Sequence, residues 1–151
     1  MTIRFATCAD ISGILRLLYQ VGDVHHQIRP DIFRAGALKY DEAALLPLLS
    51  DPSRPIFIAD VDGQVAGYCF CVHKVIEDSA LSVGRQELYI DDLCVDENCR
   101  GQHIGRAIYN EILRYAKMRG CYNVTLNVWS CNEGAMRFYE KMGLKPLKVG
   151  M

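Results

Sequence analysis

The sequence has no excess of charge of one sign: 17 Lys and Arg stand against 18 Asp and Glu, a net charge of −1. A protein that grips nucleic acid through its phosphates needs a basic face, so the charge argues against that class of partner. Long apolar runs are missing as well. The longest, Val65 to Val72, falls far short of the roughly 20 residues that cross a bilayer. The opening Met1-Thr2-Ile3-Arg4-Phe5 has neither a basic n-region nor an apolar h-region. Cysteine occurs at 8, 69, 71, 94, 99, 121 and 131, an odd number with no CxxC pair, so no disulfide framework is read. These residues read as reduced, small hydrophobes, and the expectation is a cytoplasmic protein with no membrane and no nucleic-acid partner. Repeats and linkers are absent too. The 151 residues fit a single domain, 1–151, and 50% hydrophobic against 23% charged residues excludes a disordered chain.

What is present is an alternation of strand and helix patterns. Ile3 to Ala6 reads as a short strand, and Asp10 caps a helix carrying Ile11, Ile14, Leu15, Leu18 and Tyr19. From Val21 to Arg54 the pattern weakens, with a short helix expected over Asp41 to Leu49. Ile56–Val61 and Gln64–Lys74 flank Asp62-Gly63, the strongest hairpin signal in the chain. Gln86–Val95 is a third strand of that run. Ile104, Ala107, Ile108, Ile112, Tyr115 and Ala116 then form one helical stripe that Gly120 ends. Asn123–Trp129 is a further strand, Asn132 or a neighbour caps a helix with Ala135, Phe138, Tyr139 and Met142 on one face, and Leu144–Val149 is expected as a last strand. The fold class is therefore α/β (α+β): a mixed sheet whose N-terminal half is antiparallel and whose second half is a parallel βαβ unit.

The chemistry concentrates where Tyr89-Ile90-Asp91-Asp92-Leu93-Cys94-Val95 runs through Asp96-Glu97-Asn98-Cys99 into Arg100-Gly101-Gln102-His103-Ile104-Gly105-Arg106. A strand passes through a glycine-containing loop into a helix N-terminus, whose free N–H groups and partial positive charge suit a phosphate. A dinucleotide fingerprint is not met, since only Gly101 and Gly105 occur, and no Gly-Lys followed by Ser or Thr exists for an ATP-type loop. Two glycines before a helix are otherwise weak evidence. Cys94, Cys99 and His103 lack a fourth ligand and the spacing of a zinc site, so no metal is expected.

The run Asp92-Leu93-Cys94-Val95 followed, four residues later, by Arg100-Gly101-Gln102-His103-Ile104-Gly105 resembles the acyl-CoA signature [QR]-x-x-G-x-[GA] of the GNAT N-acetyltransferase family, with His103 standing where the central glycine is usual. A second block, Asn132 to Leu144, is similar to the family's N-x-x-A-x-x-[FL]-Y-x-x-x-G-[FL]. The resemblance implies a mixed sheet of about six to seven strands with helices on both faces. It implies acetyl-CoA as acyl donor and direct transfer to a primary amine of a small molecule or peptide. Strands four and five would splay around the pantetheine, with backbone groups of Leu93, Cys94 and Val95 binding its amides. The loop from Arg100 through Gly101, Gln102, His103, Ile104, Gly105 and Arg106 would hold the pyrophosphate. Asn132 would cap its helix and bond the cofactor arm, and Tyr139 would protonate the departing thiolate, although helical periodicity alone places that tyrosine in the core.

The base is less determined. An alkylammonium is neutral in about one molecule in 2,500 at pH 7, a cost of roughly 4.6 kcal/mol before attack. Relatives use a carboxylate on strand four or a glutamate on strand five. This chain has Asn127 at the latter place, which leaves Glu87 and Asp91, one face of the strand by simple alternation, with Asp92 opposite. A non-catalytic acyl-CoA-binding or sensing module with the same fold is the alternative reading. Because relatives carry a further strand after the turn at Gly143-Leu144, strand five is expected to have an edge that a truncated terminus leaves open or a partner, as in a homodimer, completes.

Overall fold

A computed structural model describes residues 1–151. Strand β1 (Thr2–Phe5) leads into a tight turn where Asp10 accepts the Thr7 N–H at 2.8 Å and takes both arms of the Arg4 guanidinium at 2.8 and 2.9 Å. That fixed turn aims helix α1 (Ile11–Ile28) across the sheet. The helix is two turns longer than its apolar spacing suggests. Asp23, His25, His26 and Gln27 blur the pattern, and this end is held instead by the His26 Nδ1 contact to the Phe33 carbonyl at 2.7 Å and by His25 stacked on Phe33. Helix α2 (Glu42–Leu49) starts as expected at Asp41, whose side chain accepts from the Ala44 N–H.

Strands β2 (Ile56–Val61), β3 (Gln64–Ile76) and β4 (Arg85–Val95) follow, then helix α3 (Ile104–Met118), strand β5 (Asn123–Leu126) and helix α4 (Glu133–Lys141). The sheet order is β1-β2-β3-β4-β5; the first three pairings are antiparallel and β4–β5 is parallel. The Asp62-Gly63 hairpin forms with both residues at positive φ, 52° and 79°, the conformation a two-residue turn of matching twist requires. Five strands are present rather than six or seven. Leu144–Val149 forms no strand: Met142 and Leu144 pack against the core, while Leu147 and Val149 are exposed. Within the chain the outer edge of β5 has no partner.

Each face of the sheet carries its own core. Ile14, Leu17 and Leu18 of α1 and Leu45 of α2 are fully buried against Ile58, Tyr68 and Phe70. Each such aliphatic side chain contributes roughly 1.5 to 3 kcal/mol. On the other face Ile104, Ile108, Ile112 and Tyr115 of α3 cover Phe57, Cys69, Leu88 and Ile90.

One irregularity decides the geometry of β4. Phe70 is paired with Asp92 but Cys71 with Ile90, so Asp91 has no partner on β3 and forms a β-bulge. An extra residue resets the alternation. Leu88 and Ile90 point to the α3 core, while Asp91 accepts from Tyr40 Oη at 2.8 Å and Asp92 from Tyr68 Oη at 2.7 Å, two tyrosines that both pack on Phe70 in the α1 core. Asp91 and Asp92 therefore share a face, which corrects the simple alternation that sets them opposite each other.

Candidate active site

The site begins where the parallel pairing stops. Strands β4 and β5 are in register only from Glu87 opposite Asn123 to Ile90 opposite Leu126. Beyond, β4 continues through Asp91–Val95 with no neighbour on that side, while the chain after Leu126 turns away without regular structure. The expected strand Asn123–Trp129 is thus cut short at Leu126, and the two strands part as the family resemblance implies. Leu93 and Val95 direct their side chains into the α3 core, and Cys94 into the α1 core, where its Sγ lies 3.8 Å from the Leu17 carbonyl. Burial and then the Asp92 charge push the Cys94 thiol up to about 12, so it stays protonated. What these three residues offer the opening is backbone.

The loop below the opening is built on a buried carboxylate. Arg16 and Gln20 of α1 donate to Asp96, which also accepts the Asn98 N–H at 3.0 Å. Burial alone would raise the Asp96 pKa, but these donors outweigh it and hold it below the ordinary carboxylate range. The chain then turns through Gly101 at φ 82° and His103 at φ 60°. His103 adopts a left-handed conformation that glycine takes without penalty, so the loop carries local strain here. Helix α3 has no side-chain N-cap, and the N–H groups of Ile104, Gly105 and Arg106 have no acceptor within the chain. A Cβ on Gly105 would lie 3.1 Å from the Phe138 ring, so this glycine lets α4 close against the start of α3. Arg100, Gln102, His103 and Arg106 are exposed, and Arg100 and Arg106 form no ion pair. Uncapped donors, a turn open to solvent at Gly101 and unpaired cations form a cradle that fits a pyrophosphate.

The titratable groups around the opening separate by environment. Tyr139 is half-buried on α4, its hydroxyl has no partner in the chain, and burial followed by the proximity of Cys69, Asp92 and Cys94 raises its pKa well above that of a free phenol. Tyr139 therefore lies within electrostatic range of Asp92 and Cys94 on β4. Burial likewise raises Asp92, opposed by the Tyr68 hydrogen bond and by the charges of Lys39 and His25. Asp91 is engaged differently: Lys39 Nζ stands 3.0 Å from its Oδ2. Glu87 lies at the closed end of the pairing, opposite Asn123, and is bound to Arg85 at 2.8 Å. Asn132 caps α4 by accepting the Ala135 N–H at 3.2 Å, which leaves its amide N–H free. Asn127 donates to Tyr89 Oη at 3.3 Å.

Aromatic rings gather around His25, whose charge acts on Asp92. Phe33 stacks on His25 at 4.9 Å and meets Trp129 edge-on at 5.4 Å, so the segment after α1 reaches across to the segment after β5. The sequence pattern, weak from Val21 to Arg54, gave no sign of this contact, nor of Lys39, Tyr40 and Tyr68 at the β4 carboxylates. The doubled acid Asp91-Asp92, set between Leu88-Tyr89-Ile90 and Leu93-Cys94-Val95, is the one local hint that alternation breaks there.

Comparison with known proteins bears on the family and the fold. The model of the Acetyltransferase (GNAT) family matches residues 23–144. Uncharacterized N-acetyltransferase MJ1207 of Methanocaldococcus jannaschii is 33% identical over 93 residues, 62% of this chain and 40% of that protein. Glucosamine 6-phosphate N-acetyltransferase 1 of Oryza sativa subsp. japonica is 32% identical over 150 residues, 99% of this chain and 84% of the rice protein. Among solved structures, the tetramutant of the BH1408 protein from Bacillus halodurans superposes with a TM-score of 0.95 at 31% identity, covering 100% of this chain and 97% of that one. The chain spans less than half the length of the Methanocaldococcus protein.

Proposed function

The chain belongs to the GNAT acetyltransferase family, and from that premise we propose that it transfers an acetyl group from acetyl-CoA to a primary amine by direct attack. The observation that carries the reading is the parting of β4 from β5 directly after Ile90 and Leu126, which leaves Asp92 on an unpaired stretch of strand that leads into the uncapped start of α3. Acetyl-CoA supplies the acetyl group as a thioester. The N–H groups of Ile104, Gly105 and Arg106 hold its pyrophosphate, aided by Gly101, Gln102, His103 and the Arg100 side chain, and backbone groups of Leu93, Cys94 and Val95 bind the pantetheine amides. The Asn132 amide N–H, free while its oxygen caps α4, reaches the same arm.

Asp92 receives the proton of the incoming ammonium. Among the β4 carboxylates it combines a raised pKa with no cation in direct contact, whereas Asp91 is paired with Lys39 and Glu87 with Arg85. A raised pKa narrows the gap to an amine near 10.4, which is what a proton acceptor needs. Asp91 then orients the acceptor, and Glu87 serves the sheet. A β4 backbone N–H polarises the carbonyl, and Tyr139, still protonated at neutral pH, donates to the departing sulfur. A primary amine of an amino sugar or of an alkylamine fits the acidic, aromatic-walled side of the cleft.

The test is calorimetry with acetyl-CoA followed by a thiol-release screen over amino sugars, alkylamines and peptide N-termini. Saturable acetyl-CoA binding and release of CoA with at least one amine are expected. Absence of acetyl-CoA binding overturns the proposal, and binding with no acceptor in any class assigns the cleft to an acyl-CoA-binding module.

A further inference from the structure

Two neighbouring carboxylates say nothing by themselves about a ligand, but at Asp91 an alkylammonium is already in place. Lys39 Nζ stands 3.0 Å from Asp91 Oδ2 and donates to the Asp91 carbonyl at 3.2 Å, while Tyr40 Oη donates to the same Oδ2 at 2.8 Å. The carbonyl is available because Asp91 is the bulged residue, unpaired with β3 and one position beyond the last pair with β5. The bulge thus assembles a composite site for a –NH3+ group: a carboxylate oxygen, a main-chain oxygen and, next along the strand, Asp92.

Lys39 reaches this site from 52 residues away, out of the irregular segment between α1 and α2, and Asp91 supplies its only polar partners. Its side chain is 43% exposed, against 20% for Asp91. A half-exposed pair of this kind is weak, so its cation exchanges readily for another of the same shape. The site lies beside the carboxylate that, on the reading above, takes the acceptor's proton.

We propose that Lys39 is an internal stand-in for the acceptor: its ammonium fills the acceptor subsite of the resting protein, and a substrate enters by displacing it from Asp91. The inference rests on the acetyl-transfer reading of the cleft and names its acceptor class, an unhindered primary alkylammonium that can donate to both Asp91 oxygens. Lysine and substrate compete for one site, so the fraction of protein with Lys39 swung away scales the apparent affinity for the acceptor.

n-Butylammonium is titrated into the full chain labelled with 13C at the lysine ε-carbons, with no acetyl-CoA present, and binding is followed in parallel by calorimetry. The Lys39 resonance, assigned by its loss in Lys39→Met, is expected to move saturably with the calorimetric isotherm, and tetramethylammonium, of equal charge without N–H donors, to leave it in place. Lys39→Met is expected to bind n-butylammonium about two- to sixfold more tightly, the gain from removing a weak competitor. Asp91→Asn is expected to abolish the movement. Binding of n-butylammonium with a stationary Lys39 resonance, an unchanged affinity in Lys39→Met, or no binding to either protein overturns the inference. Displacement of Lys39 in a protein that acetylates no amine sinks the reaction and leaves this subsite; turnover with a stationary Lys39 does the reverse.

Discussion

A carboxylate among apolar side chains holds its proton more tightly than one in water, and Asp92 meets that condition with only a tyrosine hydroxyl as direct partner. Its folded pKa is raised, so its contribution to stability is present below the unfolded value of about 3.9 and is lost as pH rises through the raised folded value. Once ionised, the residue therefore weakens the fold. Asp92→Asn is expected to raise Tm while lowering kcat/KM by about 10²- to 10⁴-fold, and the acidic limb of the kcat/KM profile should lie above the ordinary carboxylate range. A variant with lower Tm, or one with undiminished turnover, removes Asp92 from the role. Tyr139 makes the complementary case. Its hydroxyl bonds to nothing in the chain, so Tyr139→Phe should leave acetyl-CoA affinity unchanged by calorimetry and reduce turnover by about tenfold or more.

Among the elements, the start of α3 stores the strain. His103 holds φ 60° and ψ 22°, a left-handed conformation costing an L-residue about 1 to 2 kcal/mol, and its imidazole makes no cap bond in return. His103→Gly relieves the strain but adds freedom to the unfolded chain, for a net gain of about 0.5 to 1 kcal/mol. Thermal denaturation should show Tm rising by about 1 to 4 °C; a fall would mean that the imidazole contributes to the fold in a way its exposed position does not suggest. Strand β4 shows why local reading went only so far. Its span and apolar character are legible from Gln86 to Val95, and so is the glycine loop after it. The bulge is not, since an extra residue on one strand is defined only by the residues it faces on another, here Phe70 and Cys71. One unseen slip moved Asp92 to the face of Asp91 and changed the choice of proton acceptor. Helix α1 ran on past Val21 for a similar reason: its last turns are held by Phe33 rather than by an apolar stripe.

At the scale of the molecule, two buried carboxylates tie the N-terminal region to the sheet and to the loop. Asp10 is lowered chiefly by the Arg4 hydrogen bonds, and Asp96 by Arg16, Asn98 and Gln20 acting together against burial. Groups lowered in the folded state contribute stability that is present above the unfolded pKa of about 3.9 and is lost as pH falls through the folded values. Through these two groups Tm should therefore drop below about pH 4, where the contribution of Asp92, which runs the other way, no longer changes. Arg16→Met, which leaves Asp96 without its cation, should cost about 1 to 2 kcal/mol at neutral pH, less than for a fully buried pair because Arg16 is 43% exposed. A Tm unchanged in that variant would show that Asn98 and Gln20 suffice.

The sequence by itself determined the order of strands and helices, the Asp62-Gly63 hairpin, the glycine stop after α3, the loop leading into that helix and the family the two motifs resemble. All of these are written in residues adjacent along the chain, where turn chemistry, capping and periodicity act. Only the tertiary structure decided where β4 leaves β5, that Leu144–Val149 adds no strand, which acids share a face and that Lys39 lies on Asp91. Register, edges and long-range polar contacts arise between segments 20 to 80 residues apart, as with Tyr68 and Asp92 or Arg16 and Asp96, and they exist only once the two cores have packed the sheet between its helices.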